Sequence, residues 1–195
     1  MTCGRGDRMP HSSAPFPLKR FRGVVYRFAH LANFEFSLAL DAQASVSIAL
    51  QVQFSAHCFS ERFDAALHQP EHRYSYAGEL RAFDLERYQL SLQLPDLIRS
   101  LGQRKVNFTR ENNYLLVEHV DMQNVRQQYV VFFDLKRAKA GRALQLFVQT
   151  AYVKTALPRS LDTIRFRILA AAIWEGRSVH SPQTRQKGRD RGRAK

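Results

Sequence analysis

The sequence predicts an α+β protein in which an antiparallel β-sheet, arranged as a meander, carries a helix pair packed on one face. Three strand-like segments follow one another with only short polar connections, at 114–120, 128–135 and 144–155. A leucine-rich segment before them has the periodicity of helices. With 195 residues, 45% of them hydrophobic, the chain can bury one good core. Together these observations favour helices packed on an antiparallel sheet.

Charge is concentrated at the two ends of the chain. The formal net charge is +13, of which residues 1–22 carry +4 and residues 177–195 carry +6. The C-terminal segment has almost no apolar residues and cannot offset the entropy lost on ordering. We therefore expect a flexible basic segment at 1–22, a single α+β domain at 23–176 and a disordered basic tail at 177–195. Such a tail either binds RNA or DNA without sequence preference or only increases solubility.

Membrane and export signals are missing from the sequence pattern. No apolar run approaches the ~20 residues that a membrane helix needs, and the N-terminus lacks the apolar stretch of a signal peptide. Cys3 and Cys58 are too few for a disulfide framework. We expect a protein of the bacterial cytoplasm that does not contact a membrane.

The apolar pattern in the first part of the domain predicts a β-hairpin. Residues 24–36 alternate loosely between apolar and polar, and the run 44–59 has apolar residues at strict period two from Val46 to Phe54. A turn near Asp41 joins the two strands. A helix through 42–50 is the alternative, since alanine is common there.

Residues 60–102 predict helices. Ser60 is a favourable N-cap for a short helix at 62–67, and 68–78 reads as a polar loop. Asp84 caps a stronger helical pattern. Because Pro95 does not fit a helix interior, this pattern is either one kinked helix or two helices that meet at Leu94, the second ending at Gly102.

The last strand of the meander ends in polar residues. At period two it places Thr150, Tyr152 and Lys154 on the face that begins with Leu144 and continues through Leu146 and Val148. A hydroxyl, a phenol and a cation on one strand end suit phosphate chemistry, whereas a solvated strand end is the alternative. The final apolar segment, 164–174, predicts either an edge strand or a closing helix.

Motifs for several classes of chemistry are missing. The sequence contains no HxxH, HExxH or cysteine pair at ligand spacing, and His68 and His72 fall in a loop with Pro70. It also has no GxxxxGK[ST], GxGxxG or GxSxG. We therefore expect no metal and no cofactor.

The remaining polar residues are those that metal-independent RNA cleavage needs. Attack by the ribose 2′-OH on the neighbouring phosphate requires a base, an acid and cations that hold the developing charge. Because an imidazole can act as either base or acid near neutral pH, His57 is a candidate for both roles; the alternative is a half-buried strand histidine that only forms a hydrogen bond. Arg62 and the basic connection KRAKAGR, with Arg137 and Arg142, offer contacts to phosphate.

The order of these features resembles a nuclease family. SAHCFSERF, FDLERYQLSLQLPDLIRSL, NNYLLVEHV, QQYVVFFDL and LQLFVQTAYVK together resemble the phage- and mobile-element-associated branch of the barnase, EndoU, colicin and RelE-like nuclease superfamily, over about residues 53–154. The resemblance implies a catalytic set of His57, Arg62, Thr150 and Tyr152, with Arg104, Lys105 and Lys154 as phosphate contacts. It also implies action on tRNA or mRNA and a neutralising protein partner.

The sequence thus predicts a metal-independent ribonuclease, as a toxin or defence factor of a bacterial mobile element. One alternative is a non-catalytic nucleic-acid-binding or protein-interaction module whose affinity comes from the basic tails. A third class is a structural or inhibitory protein of a mobile element that acts through a partner chain.

Overall fold

The computed structural model describes residues 15–41, 45–109, 114–122, 125–139, 141–154, 162–177 and 179. Within these residues the predicted α+β class is confirmed. The strands are β1 (Lys19–Phe21), β2 (Val24–Tyr26), β3 (Phe34–Ala39), β4 (Ser47–Phe54), β5 (Ser60–Arg62), β6 (Arg73–Tyr76), β7 (Glu79–Phe83), β8 (Lys105–Phe108), β9 (Tyr114–Met122), β10 (Val125–Arg137), β11 (Ala143–Lys154) and β12 (Thr163–Arg165). The α-helices are α1 (Leu85–Ser91), α2 (Leu94–Arg99) and α3 (Phe166–Trp174), and short 3₁₀ turns lie at Ala29–Leu31, Ala56–Cys58, Pro70–His72 and Ser100–Gln103.

Seven strands form the main sheet, in the order β12-β8-β9-β10-β11-β4-β3. The predicted meander of β9, β10 and β11 and the predicted hairpin of β3 and β4 are both antiparallel, as expected. The sequence pattern did not predict that β4 lies parallel to β11, with Leu50 opposite Leu144. This parallel pair joins the N-terminal hairpin to the meander and brings the end of β4 beside the end of β11.

A β-bulge interrupts the pairing of β10 with β11. Phe132 pairs with Thr150, but the next residue, Phe133, pairs with Val148, so Gln149 is the extra residue of β11. The bulge reverses which face each later residue occupies. Buried Val131 and Phe133 therefore share the core face with Val148 and then with Ala151 rather than with Thr150. The prediction that Thr150, Tyr152 and Lys154 continue the face of Leu144, Leu146 and Val148 is wrong for this reason.

Two small sheets cover one end of the domain. β1 pairs with β2, and a second sheet has the order β5-β7-β6. The predicted helix at 62–67 is wrong, because Ser60–Arg62 is a strand and residues 65–67 form only a turn. The predicted polar loop at 68–78 is wrong in part, because Arg73–Tyr76 is a strand. Between these sheets and α1 lies a cluster of aromatic rings: Phe16, Phe21, Tyr26, Phe28, Phe59, Tyr74, Phe83 and Tyr88.

The N-terminal boundary of the folded domain lies earlier than predicted. Phe16 and Phe21 are buried in the aromatic cluster, so residues 15–22 belong to the folded domain and not to a flexible segment. Residues 1–14, and all of the tail after Arg177 except Val179, lie outside the described residues.

The helices agree closely with their sequence signals. Asp84 accepts a hydrogen bond from the amide of Arg87 and caps α1, as predicted. Two helices meet at Leu94, and Pro95 lies in the first turn of α2, where its missing N–H costs nothing. The segment 164–174 is mainly the closing helix α3, whose Phe166 ring packs edge-on against Phe133 of β10 with centroids 6.1 Å apart.

Candidate functional site

His57 lies where β4 runs out beside β11. The Ser55 side chain accepts a hydrogen bond from the His57 amide and starts the 3₁₀ turn Ala56–Cys58. Cys58 and Phe59 are fully buried and anchor this turn in the core. The His57 side chain keeps 40% of its surface exposed. The local sequence therefore fixes the backbone of His57 while leaving its ring accessible.

A carboxylate orients the His57 ring. Nε2 of His57 lies 3.2 Å from Oε2 of Glu79, at the start of β7. Because a carboxylate only accepts hydrogen bonds, this contact assigns the proton to Nε2 and leaves Nδ1 of the neutral ring as an acceptor. The hydrogen bond from His57, together with the charge of that ring, lowers the pKa of Glu79. Arg81 adds a weaker contact to the same oxygen at 3.4 Å.

Two arginines meet at Ser60. Arg81 donates from Nε to the Ser60 hydroxyl at 2.8 Å and from a terminal nitrogen to its carbonyl oxygen at 3.1 Å. Arg87 of α1 donates to that same carbonyl oxygen, also at 3.1 Å. Ser60 itself is fully buried, and its hydroxyl donates to the carbonyl of Ala56. One strand residue thus holds two guanidinium groups side by side, beneath the turn that carries His57.

A second histidine and a second carboxylate support Arg87. Arg87 contacts Oε2 of Glu61 at 3.4 Å, and Nε2 of His68 donates to Oε1 of the same carboxylate at 2.8 Å. Nδ1 of His68 lies 3.0 Å from the amide nitrogen of Asp64 and 3.1 Å from its carbonyl oxygen, so the loop backbone holds the ring in place. Two chains of contacts, His57–Glu79–Arg81 and His68–Glu61–Arg87, therefore converge on Ser60.

The end of β11 completes this surface. The Thr150 hydroxyl donates to the carbonyl oxygen of His57 at 3.3 Å. The Cζ atom of Arg87 lies 5.2 Å from the centre of the Tyr152 ring, within cation–π range. The Tyr152 ring also stacks on Phe132, with centroids 5.9 Å apart and an interplanar angle of 15°. Thr150 therefore contacts the backbone of His57, and Tyr152 reaches the same region through its contact with Arg87.

The remaining predicted catalytic residue, Arg62, is an exposed residue at the end of β5. Its Cα lies opposite that of Arg81 in the β5–β7 ladder. The sequence prediction did not include Arg81 and Arg87, the two arginines that contact Ser60. Lys154 follows Tyr152 on β11 and is half-buried opposite Gln128.

Four predicted phosphate contacts lie away from His57. Arg104 pairs with Glu118 of β9. Lys105 lies on β8, opposite Arg165 of β12, and β8 is three strands from β11. Three strand spacings amount to about 14 Å. Arg137 and Arg142 lie at the opposite end of β10 and β11, in the hairpin that joins them. The structure does not bring these four residues to the site that the sequence analysis gave them.

The missed residues had a sequence signal. Tyr76 pairs with Glu79 across a two-residue turn in which Ala77 and Gly78 have φ values of 50° and 83°. Two positive φ values are typical of the tight turn that joins antiparallel strands. The alternation on either side of Ala-Gly predicts a hairpin, and such a hairpin places Glu79 and Arg81 on the same face of β7.

The structure also bears on thiol chemistry, on metal binding and on membrane-spanning helices. The Cys58 thiol is fully buried, and burial raises its pKa to about 12, which disfavours the thiolate that nucleophilic chemistry needs. Among the described residues, no three histidine, cysteine or acidic side chains lie close enough together to hold a metal ion. The described helices are also all too short or too polar to cross a membrane.

Comparison with known proteins gives a family and no further relatives. No curated protein and no solved structure matches the chain. The model of the YjaZ family matches residues 17–174, a range that begins next to buried Phe16 and ends with the last residue of α3. Since this range covers most of the sequence, the chain belongs to the YjaZ family.

Proposed function

We propose that the protein is a metal-independent endoribonuclease that cleaves RNA by attack of a ribose 2′-OH on the adjacent phosphate. The observation that carries the proposal is the meeting of an exposed, carboxylate-oriented His57 with Thr150, Tyr152 and two arginines on one surface. These are the base, acid and cation that the reaction requires.

The proposal gives each of these residues a role. Nδ1 of His57 takes the proton of the 2′-OH as the bond from O2′ to phosphorus forms. The bond from phosphorus to O5′ breaks, and O5′ leaves with a proton from Tyr152. The Arg87 guanidinium, held over Tyr152, stabilises the negative charge on the phosphate oxygens. Glu79 keeps the proton of the ring on Nε2. The products are a 2′,3′-cyclic phosphate and a free 5′-hydroxyl.

The biological setting belongs to the same proposal. The resemblance to phage- and mobile-element-associated nucleases supports a toxin or defence factor that acts on tRNA or mRNA in the bacterial cytoplasm. The same resemblance implies a neutralising protein partner.

The test is incubation of the purified protein with total RNA and with tRNA in EDTA. Wild type should produce 2′,3′-cyclic phosphate ends, and His57→Ala should lower the rate by ~100-fold or more. His72→Ala is the matched control, because it removes a histidine whose ring packs on Phe21. The control should cleave like wild type. Intact RNA at every concentration of wild type, or equal cleavage by His57→Ala, contradicts the proposal; intact RNA with tight binding favours a non-catalytic binding module.

A further inference from the structure

A basic groove lies at the opposite end of β10 and β11 from His57. It has a volume of about 420 Å³. Four of its lining residues are cations: Lys136, Arg137, Lys139 and Arg142. Gln51 and Gln145 line it as well, and no acidic residue lines it within the described part of the chain. Its chemistry fits an anionic ligand with several negative charges.

Strand register builds this groove. Gln145 of β11 lies opposite Gln51 of β4 on one side and opposite Lys136 of β10 on the other. The three side chains therefore form a row across neighbouring strands, on the face that Leu144 and Leu146 do not occupy. The nearest acid in this row, Glu35 of β3, accepts a hydrogen bond from Gln51 at 2.9 Å. The row thus changes from acidic at the sheet edge to cationic at the hairpin.

Arg137 is held in place before any ligand binds. Its guanidinium lies over the Trp174 ring, with Cζ 5.0 Å from the ring centre, and it donates to the carbonyl oxygen of Gly141 at 3.4 Å. A guanidinium whose flat face covers an aromatic ring still presents N–H groups at its edge. Because Arg137 pairs with Leu144, its side chain leaves the sheet on the face opposite Lys136 and Gln145, and Arg137 lines the groove from the other side of the hairpin.

The same sheet face connects the groove to the proposed catalytic site. Because Gln149 is an extra residue, Lys136, Asp134 and Phe132 of β10 share their face first with Gln145 and Phe147 and then with Thr150 and Tyr152. Along β10, Lys136 is six residues from Val130, the residue that pairs with Tyr152. Six strand residues span about 20 Å. We name this strip of β10 and β11 the outer track.

The outer track carries aromatic surface between its cationic ends. Phe147 is 37% exposed, and the Phe132 ring is half-buried against Tyr152. Asp134 also lies here, where its Oδ2 accepts from Gln149 at 2.8 Å. A carboxylate repels phosphate, but it accepts hydrogen bonds from base amino groups. Phosphates therefore fit the two ends of the track, and bases fit its middle.

We propose that the outer track binds single-stranded RNA, with its backbone phosphates in the basic groove and its bases on Phe147 and the Phe132–Tyr152 pair. Single strands suit this surface because unpaired bases stack on exposed aromatic rings, which a duplex does not allow. The proposal rests on the proposed nuclease only for the direction in which the bound RNA runs, which is along the track toward His57. Its binding step is separate from cleavage.

The test uses the His57→Ala protein, so that RNA stays intact during binding. Affinity for a 12-nucleotide single strand is measured by fluorescence anisotropy at several salt concentrations. In this background Lys136→Gln with Arg142→Gln should weaken binding and reduce the slope of log affinity against log salt by about 1.4, at ~0.7 per lost phosphate contact. Phe147→Ala should weaken binding of the single strand about fivefold or more. A duplex of the same sequence should bind more weakly than the single strand.

The matched control is Arg20→Gln with Arg165→Gln, which removes the same charge from two exposed arginines on β1 and β12. It should leave the slope within about 0.3 of the parent protein. Equal slopes for the two double variants, or a duplex that binds as tightly as the single strand with no effect of Phe147→Ala, overturn the proposal.

Cleavage distinguishes this proposal from the nuclease itself. With His57 restored, the groove variant should cut a dinucleotide, which is too short to reach the groove, as fast as wild type. It should cut long RNA more slowly at limiting concentration. If neither substrate is cut by wild type while the groove variant still loses affinity, the nuclease proposal fails and the track remains.

Discussion

The Thr150 hydroxyl donates a hydrogen bond to the backbone carbonyl of His57 and so joins β11 directly to the turn that carries the histidine. Thr150→Val keeps the shape of the side chain and removes the donor. We expect a loss of about 1 kcal/mol in the free energy of unfolding, measured by urea denaturation. Thr150→Ser retains the donor and should lose less. Equal losses in the two variants would show that the methyl group, not the hydrogen bond, matters at this position.

Arg87 holds a position that a lysine does not fill. Its terminal nitrogens contact the Ser60 carbonyl and Glu61, while its Cζ lies over Tyr152. Arg87→Lys keeps the charge but loses the planar group that makes these contacts together. We expect RNA cleavage at least ~100-fold slower, with circular dichroism unchanged. Arg99→Lys is the control, because Arg99 stacks on Phe34 in another part of the domain. Wild-type rates for Arg87→Lys would remove Arg87 from the mechanism.

The Tyr129 hydroxyl is buried and has no hydrogen-bond partner among the described residues. Burial raises the pKa of this phenol well above its usual value, so the hydroxyl stays neutral. Tyr129→Phe should therefore be neutral or stabilise the protein by about 1 kcal/mol, because it removes a desolvated group. Tyr74→Phe should lose about 1 kcal/mol, since the Tyr74 hydroxyl donates to the Pro17 carbonyl at 2.9 Å. Urea midpoints measure both, and a larger loss at Tyr129 than at Tyr74 contradicts this reasoning.

Because of His30, we expect the free energy of unfolding to fall in mild acid. The His30 ring lies in contact with Tyr88, and Nε2 donates to the hydroxyl of Ser91, which in turn donates to the Tyr88 carbonyl. Burial lowers the pKa of His30 in the folded protein. Below the unfolded pKa of about 6.5, the unfolded chain takes up a proton that the folded chain does not bind, so the free energy of unfolding falls as the pH falls.

The measurement is the urea midpoint at pH 7.5 and at pH 5.5. One proton limits the slope to about 1.4 kcal/mol per pH unit. The comparison variant is His30→Gln, whose amide keeps a donor for Ser91 and does not titrate. It should show a smaller decrease between the two pH values than wild type does. An identical decrease in both proteins would assign the pH dependence to other groups.

The backbone conformation of Ala77 is unfavourable for alanine, and a residue that favours this turn conformation should stabilise the protein. The Ala77 φ of 50° lies in the left-handed region, which an alanine seldom adopts, and Gly78 follows at 83°. Ala77→Asn gives the turn the preferred Asn-Gly pair and should raise the free energy of unfolding by about 0.5–1 kcal/mol. Gly78→Ala should lower it by about 1 kcal/mol through backbone strain alone, because an added Cβ meets no atom within 4 Å. Thermal melts of both variants test the sign.

Sequence periodicity predicts the strands and helices that have strong local signals. Asp84 and Pro95 fix the ends of α1 and α2 through capping and missing-donor chemistry, and both effects act within a few residues. The strict alternation from Ile48 to Phe54 likewise predicts β4. Local chemistry of this kind needs no knowledge of the rest of the fold.

The candidate site depends on effects that local pattern does not contain. The single extra residue Gln149 reverses the faces of Thr150 and Tyr152, and nothing in LQLFVQTAYVK marks a bulge. Arg81 and Arg87 come together only because both contact Ser60, in a strand that the sequence analysis interpreted as a helix start. Long-range pairing decides these positions, and one sequence does not reveal it.

The parallel pairing of β4 with β11 governs the order in which the molecule assembles. Phe54 and Val148 are neighbours although 94 positions of sequence separate them, whereas β10 and β11 are joined by a short hairpin. Closing the long loop costs more entropy than closing the hairpin, and contacts of high sequence separation slow folding. We expect the hairpin to form early in a refolding chain and His57 to reach Thr150 late. On this order, a newly synthesised chain acquires most of its sheet before the surface around His57 is assembled.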